Sequence, residues 1–248
     1  MKALITGASS GMGRDMAKIL SQNGYDLILV ARDEKRLEEV KKQLKTETKI
    51  VAMDISKEEN CKKIYEENKD IDILINNAGF GDCGHFEETS LDKDIQMIHT
   101  NIIAYHILTK LYLKEMIKKD SGKILNVASI AGFMPGPLMT TYYSTKNYVV
   151  RFSESIREEL RRKKSKVQIS ILCPGPVDTN FNKVADVEFA LKGLSSEYVA
   201  KYGIDKALKG KLVIVPGFKI KVLRFLSKIS PDKLSMKLVY INQTKKNS

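Results

Sequence analysis

A chain of 248 residues with 43% hydrophobic and 29% charged side chains, 15 Gly and 6 Pro can bury one sizeable core, which excludes a disordered or linker-rich polymer. No apolar run approaches the roughly 20 residues of a membrane-spanning helix, the N-terminal apolar stretch is too short for a secretory leader, and three scattered cysteines, Cys61, Cys83 and Cys173, suit neither a disulfide framework nor a zinc ribbon, so a cytoplasmic protein is expected. The net charge of +12 is lopsided: Lys206 to Ser248 holds eleven basic residues against the single acid Asp232, and the near-neutral remainder gives no reason to expect nucleic acid as the body's partner.

In chain order, strands are predicted at Lys2 to Thr6, Asp26 to Ala31, Lys49 to Met53, Ile71 to Asn76, Lys123 to Ala128, Val167 to Leu172 and Lys211 to Val215. Helical periods lie between them: Met12, Met16, Ile19 and Leu20 on one face, then Leu37, Val40, Lys41 and Leu44, then Lys57 to Asn68, Asp94 to Lys118 and Ser196 to Lys209. Because the strands are nearly unbroken apolar runs, they read as buried on both faces of a parallel sheet. The expected fold is α/β, a doubly wound, Rossmann-like parallel sheet. One domain is assigned to residues 1–215, with a substrate loop at about 180–209 and a basic amphipathic helical extension at 216–248.

The first strand-to-helix turn reads Thr6-Gly7-Ala8-Ser9-Ser10-Gly11-Met12-Gly13. Glycines there let the backbone turn tightly beside a pyrophosphate, whose charge the following helix N-terminus stabilises. No Walker-type lysine follows, which disfavours a nucleoside triphosphate. At the end of the second strand an acid would bind the ribose 2′-hydroxyl of NAD, but the chain has Ala31 and then Arg32, a guanidinium suited to the 2′-phosphate of NADP. Arg14 either adds to that positive potential or is an ordinary solvated residue.

Tyr142 and Lys146 are four residues apart, one above the other on a helix. An ammonium beside a phenol lowers its pKa from about 10 toward a useful range, which makes Tyr142 an acid or base for a carbonyl/alcohol pair. Ser129, at the end of the fifth strand, can share the charge that develops on the same oxygen. Tyr143 lacks a lysine at plus four and is read as structural.

These motifs, taken in order, resemble the short-chain dehydrogenase/reductase family over nearly the whole chain. TGASSGMG is similar to its TGxxxGxG loop, Asn76-Asn77-Ala78-Gly79 to its NNAG, Ser129 with Tyr142-x-x-x-Lys146 to its active site, and Pro174-Gly175-Pro176-Val177-Asp178-Thr179 to its PGxxxT segment. The resemblance implies an NADP(H)-dependent oxidoreductase with Asn101, Ser129, Tyr142 and Lys146 as catalytic residues. Cofactor contacts are implied at Gly7, Ser9, Ser10, Gly11, Met12, Gly13, Arg32, Asp54, Asn77, Ala78, Gly79, Tyr142, Lys146, Pro174, Gly175, Val177 and Thr179, with Asp54 open to a second reading as a helix N-cap. It also implies a homodimer or homotetramer. No metal is expected, since His85, His99 and His106 have no ligand spacing with the cysteines.

Phe80, Phe133, Met134 and Met139, with Phe181, Val184, Val187, Phe189, Ala190 and Leu191, suggest an apolar pocket for a hydrophobic ketone, alcohol or 3-oxoacyl-type substrate. In the extension, Val222, Phe225, Leu226 and Ile229 share a helical face flanked by lysines. That face either docks on the body or a sister subunit, or meets an anionic membrane or acidic partner. Two other function classes stand beside the enzyme: a non-catalytic NADP-sensing module, and a membrane or nucleic-acid binder acting through the tail.

Overall fold

The protein is described by a computed structural model at residues 1–179, 181 and 193–244. The apolar runs become β1 (Lys2–Thr6), β2 (Asp26–Ala31), β3 (Thr48–Ala52), β4 (Ile73–Asn76), β5 (Lys123–Val127) and β6 (Gln168–Leu172). A two-stranded ribbon of β7 (Val177–Asp178) and β8 (Leu194–Ser195) stands apart, and the short β9 (Val213–Ile214) closes a seven-stranded sheet ordered β3-β2-β1-β4-β5-β6-β9. Every pair in that sheet is parallel.

Successive residues of one strand enter different cores, as the two-residue period requires. Ala3 and Ile5 pack with Met16 and Leu20 of α1 (Gly11–Gln22), Leu37 and Val40 of α2 (Glu34–Lys41), and Val199 and Ile204 of α7 (Ser196–Leu208). Leu4 packs on the opposite face, with Ile64 of α3 (Glu58–Glu67), Leu108 and Tyr112 of α5 (Ala104–Lys119), and Leu160 of α6 (Thr140–Arg162). Strand order reverses at β1, whose neighbours are β2 and β4, so a crevice opens at the carboxyl ends of these strands.

Two local features refine the expected elements. The helix anticipated over Asp94 to Lys118 is α4 (Leu91–Ile98), one π-helical turn (His99–Ile103) and then α5. Asp54 caps no helix: Lys57 is the N-cap of α3, and Asp54 Oδ1 instead accepts from the Ser56 amide at 3.0 Å, a local turn contact. Across the sheet runs a buried polar ladder in strands that read as apolar. Asn76 Nδ2 donates to Asn126 Oδ1 at 2.9 Å and Thr109 Oγ1 at 3.0 Å, and Asn126 Nδ2 donates to Ser153 Oγ at 2.9 Å. A one-residue slip of β4 on β5 would strand these amides in the core at about 1–3 kcal/mol each, so the ladder pins the register.

After β9 the chain forms α8 (Phe218–Ile229) and α9 (Asp232–Thr244). Ile220 of α8 is buried with Cys173, Val215 and Val149, whereas the expected face of Val222, Phe225, Leu226 and Ile229 is exposed.

Candidate active site

Thr6 ends β1 beneath the crevice, and its Oγ1 accepts from the amides of Asn77 at 3.0 Å and Ala78 at 3.1 Å. Asn77 Nδ2 donates back to the carbonyls of Thr6 at 3.0 Å and Gly7 at 3.2 Å. The two loops are thus stapled together. Gly7 and Gly11 hold φ of 66° and 51°, a region costly to side chains. A Cβ on Gly13 would stand 2.2 Å from the Gly7 carbonyl oxygen. The Ser10 side chain makes no capping hydrogen bond to α1, so the helix's first amides stay available to an anion. Thr179 closes from the other side, its Cγ2 within 3.2 Å of where a Gly11 Cβ would lie. Pro174 is tied to the Ser129 turn, its carbonyl accepting from the Ile130 amide at 2.8 Å, while Gly175 lies against Ile220 and Val177 is buried in the core beneath.

Ala31 pairs in register with Ala52, so Arg32 and Asp54 follow adjacent strand ends at the same edge of the crevice. Arg32 is exposed there. Arg14 is partly neutralised, its Nε 2.8 Å from Asp15 Oδ1.

Ser129, Tyr142 and Lys146 meet below the crevice and are all buried. Ser129 follows β5 and caps the turn Ile130–Phe133, its Oγ accepting from the Ala131 amide at 3.2 Å. One helical turn separates Tyr142 from Lys146 on α6, and the lysine Nζ lies 5.8 Å from the Tyr142 ring centre and 5.7 Å from that of Tyr105. Lys146 Nζ donates to the Val127 carbonyl at 3.0 Å.

The electrostatics differ from the simple sequence expectation. Burial pushes the Tyr142 hydroxyl above its ordinary value, and only a hydrogen bond with Ser129 pulls the other way. The ammonium faces the Val127 carbonyl and the ring rather than lowering the phenol's pKa; burial instead brings Lys146 down to about 8. Tyr142 therefore carries its proton firmly at neutral pH, the state a proton donor needs.

Asn101 sits in the π-helical turn, fully buried. Its Oδ1 accepts from the Phe80 amide at 3.2 Å, and its Nδ2 donates to the Phe80 carbonyl at 2.9 Å and to Thr145 Oγ1 at 3.1 Å. A Cβ on Gly79 would come within 2.8 Å of Asn101 Oδ1 and 3.5 Å of Lys146 Nζ, so Asn101 borders the lysine across Gly79. A solvent-exposed asparagine is thereby excluded.

The model of the short chain dehydrogenase family matches residues 1–188. The chain belongs to the short-chain dehydrogenase/reductase family. It is 30% identical to the human very-long-chain 3-oxoacyl-CoA reductase over 99% of this chain and 83% of that protein. A short-chain dehydrogenase from Sphingobium yanoikuyae in complex with NADPH superposes with a TM-score of 0.82 at 25% identity, covering 92% of this chain and 93% of the other. A Burkholderia phymatum member in complex with NAD matches with the same TM-score of 0.82 at 24% identity over 91% and 92% of the two chains, a likeness of fold.

As a short-chain dehydrogenase/reductase the chain is an oxidoreductase of nicotinamide cofactors, and several residues around its site escaped the sequence reading. Asn147 Nδ2 lies within 2.9–3.1 Å of the carbonyls of Ala131, Met134 and Tyr143, tying the Ser129 turn to α6. Thr145 is the second partner of Asn101. Both flank the Tyr-x-x-x-Lys motif, which was the available signal. On the substrate side Tyr142 clusters with Met97, Ala131 and Met139, against Phe80, Cys83, Tyr143 and Phe181, the last with its ring centre 5.3 Å from that of Tyr142. Phe80 and Met139 thus join the apolar wall as expected. Phe133 does not: it packs in a separate cluster beneath Arg224, whose guanidinium lies 4.8 Å from the ring centre. Val184, Val187, Phe189, Ala190 and Leu191 lie outside the described residues, as does the expected substrate loop between Phe181 and Gly193.

Proposed function

We propose that this chain is an NADP(H)-dependent carbonyl reductase for a hydrophobic ketone or 3-oxoacyl-type substrate, with Tyr142 as the proton donor. The observation that carries the reading is the convergence of buried Ser129, Tyr142 and Lys146, with Asn101 bordering Lys146 across Gly79 and with Met139 and Phe181 against Tyr142. The loop from Gly7 to Gly13 would hold the pyrophosphate, Asn77 to Gly79 and Pro174 to Thr179 would border the nicotinamide end, and Arg32 and Asp54 the adenosine end. When bound, the nicotinamide supplies the hydride.

The residues of the chain do the rest. Tyr142 Oη donates its proton to the oxygen of the reduced carbonyl, Ser129 Oγ shares the charge building there, and Lys146 in its charged form, held on the Val127 carbonyl, would bind the ribose of the nicotinamide. Asn101 fixes the strand of chain at Phe80 that walls the site. The human relative is a very-long-chain 3-oxoacyl-CoA reductase, a substrate class in keeping with the apolar wall.

An NADPH-oxidation screen across ketone and 3-oxoacyl classes tests the proposal, and absence of turnover on all of them would favour a sensing module. Cofactor choice rests on Arg32. NADPH is expected to bind at least about tenfold more tightly than NADH, as a charge-assisted pair to the 2′-phosphate warrants, and Arg32→Ala should remove most of the difference. Equal affinities in the parent chain, measured by fluorescence titration, would overturn the assignment.

Lys146 sets the pH dependence. Its proton is held below about pH 8 and lost above, so kcat/KM for reduction is expected to fall as pH rises through that value in the free enzyme. A profile flat to pH 10 would separate Lys146 from the chemistry.

A further inference from the structure

We propose that α8 and α9 form a docking surface for an anionic lipid bilayer. An amphipathic helix on a protein surface ordinarily turns its apolar stripe inward. Here α8 does the reverse. Ile220, with Arg224 and Ser227 one and two turns on, faces the body, whereas Phe218 (80% exposed), Phe225 (63%) and Ile229 (64%) lie with Val222 and Leu226 on the outward stripe. These positions, i, i+4, i+7, i+8 and i+11, make one continuous apolar strip. Lys219 borders it on one side and Lys228 on the other, the arrangement in which lysine stems lie along an apolar slab while their ammonium groups reach the headgroups, whereas Lys221 Nζ lies 5.6 Å from the ring centre of Tyr202 on α7. On α9, Leu234 and Leu238 are again exposed, 48% and 51%, with Lys233 and Lys237 nearby in sequence.

Charge selects the occupant. From Lys219 to Lys237 the chain carries six basic residues and one acid, Asp232. A second copy would set lysines against lysines, and a nucleic acid would leave the apolar centre of the strip in water. A negatively charged bilayer satisfies both parts at once. No helix among the described residues is long and apolar enough to cross a membrane, so the contact is with the surface. The same segment touches the catalytic region: Arg224 covers Phe133, Ile220 fills the space over Gly175, and Gln243 Nε2 donates to Tyr143 Oη at 3.2 Å. These contacts come from the inner faces of the two helices and leave the apolar strip of α8 turned outward.

The test is co-sedimentation of the full chain with vesicles of phosphatidylcholine alone and with about 30 mol % phosphatidylserine, where the anionic lipid is expected to raise binding and salt to lower it. Phe225→Asp, and separately the pair Lys219→Glu with Lys228→Glu, should each weaken binding at least about tenfold. Both leave buried contacts intact, so the melting temperature and turnover of a water-soluble ketone should stay at the parent values. Failure to bind anionic vesicles at low salt, or equal binding by Phe225→Asp, would overturn the proposal. So would a dimer seen by light scattering that Phe225→Asp dissolves, since it would assign the strip to a second copy.

Discussion

Tyr142→Phe is expected to lower reductase turnover by about 10²–10⁴-fold, the usual contribution of one positioned general acid, with NADPH affinity nearly unchanged. The substitution removes a single oxygen. The ring keeps its neighbours Phe181 and Tyr143, with ring centres 5.3 Å and 6.1 Å away, and the α6 backbone is not asked to move. The lost hydroxyl takes with it the hydrogen bond to Ser129, worth roughly 0.5–1.5 kcal/mol, so the melting temperature should fall by only a few degrees. Tyr143→Phe is the matched control, because it deletes an adjacent phenol bonded to Gln243 and should keep activity within about threefold. Stopped-flow turnover and cofactor titration of both variants decide the matter: a Tyr142→Phe protein that still reduces ketones at near-parent rates would move the proton donor elsewhere.

Gly13→Ala is expected to destabilise the protein and to weaken NADPH at least about tenfold, against what helix propensity alone predicts. Alanine inside α1 would normally gain about 1 kcal/mol over glycine. The obstacle is the neighbour. The new methyl would stand 2.2 Å from the Gly7 carbonyl oxygen and 2.6 Å from Asn77 Nδ2. The first is backbone and cannot swing away, so the loop must open, at a cost of about 1–3 kcal/mol. The pyrophosphate cradle and the Asn77 staple are displaced together, which couples the loss of stability to the loss of affinity. Thermal melts with and without NADPH measure both, and a Gly13→Ala chain that melts and binds as the parent does would remove the close packing from the account.

The fold was largely legible because each strand is a mostly apolar run bounded by polar residues: β1 and β2 fall where they were expected, β3 lies one residue earlier, and β4 and β9 are shorter. The motif residues were legible because their chemistry depends on spacing along one element, as for Tyr142 and Lys146. What was hidden depends on two elements at once. The sign of the Tyr142 shift follows from burial beneath Phe181 and from Lys146 turning to the Val127 carbonyl, neither of which spacing reveals. The burial of Asn101 needs the π-helical turn, and no residue pattern announced one. The tail is the sharpest case: periodicity located the stripe of α8 but carries no information on which way the helix is rolled, and Ile220 with Arg224 decided it.

The Thr6 hydroxyl, with one oxygen, joins residues about seventy positions apart. The glycine loop is read near the start of the chain but takes its shape only when β4 has docked beside β1 and delivered the Asn77 and Ala78 amides. Local sequence encodes the loop; long-range assembly makes it competent. During synthesis an emerging N-terminus would carry the whole glycine loop proposed to hold the phosphates and yet lack the Asn77 and Ala78 amides that brace it. On the proposed role of this loop, nucleotide affinity would be a property of the completed sheet, and a cofactor bound there would tie β1 to β4 at the junction of the two halves.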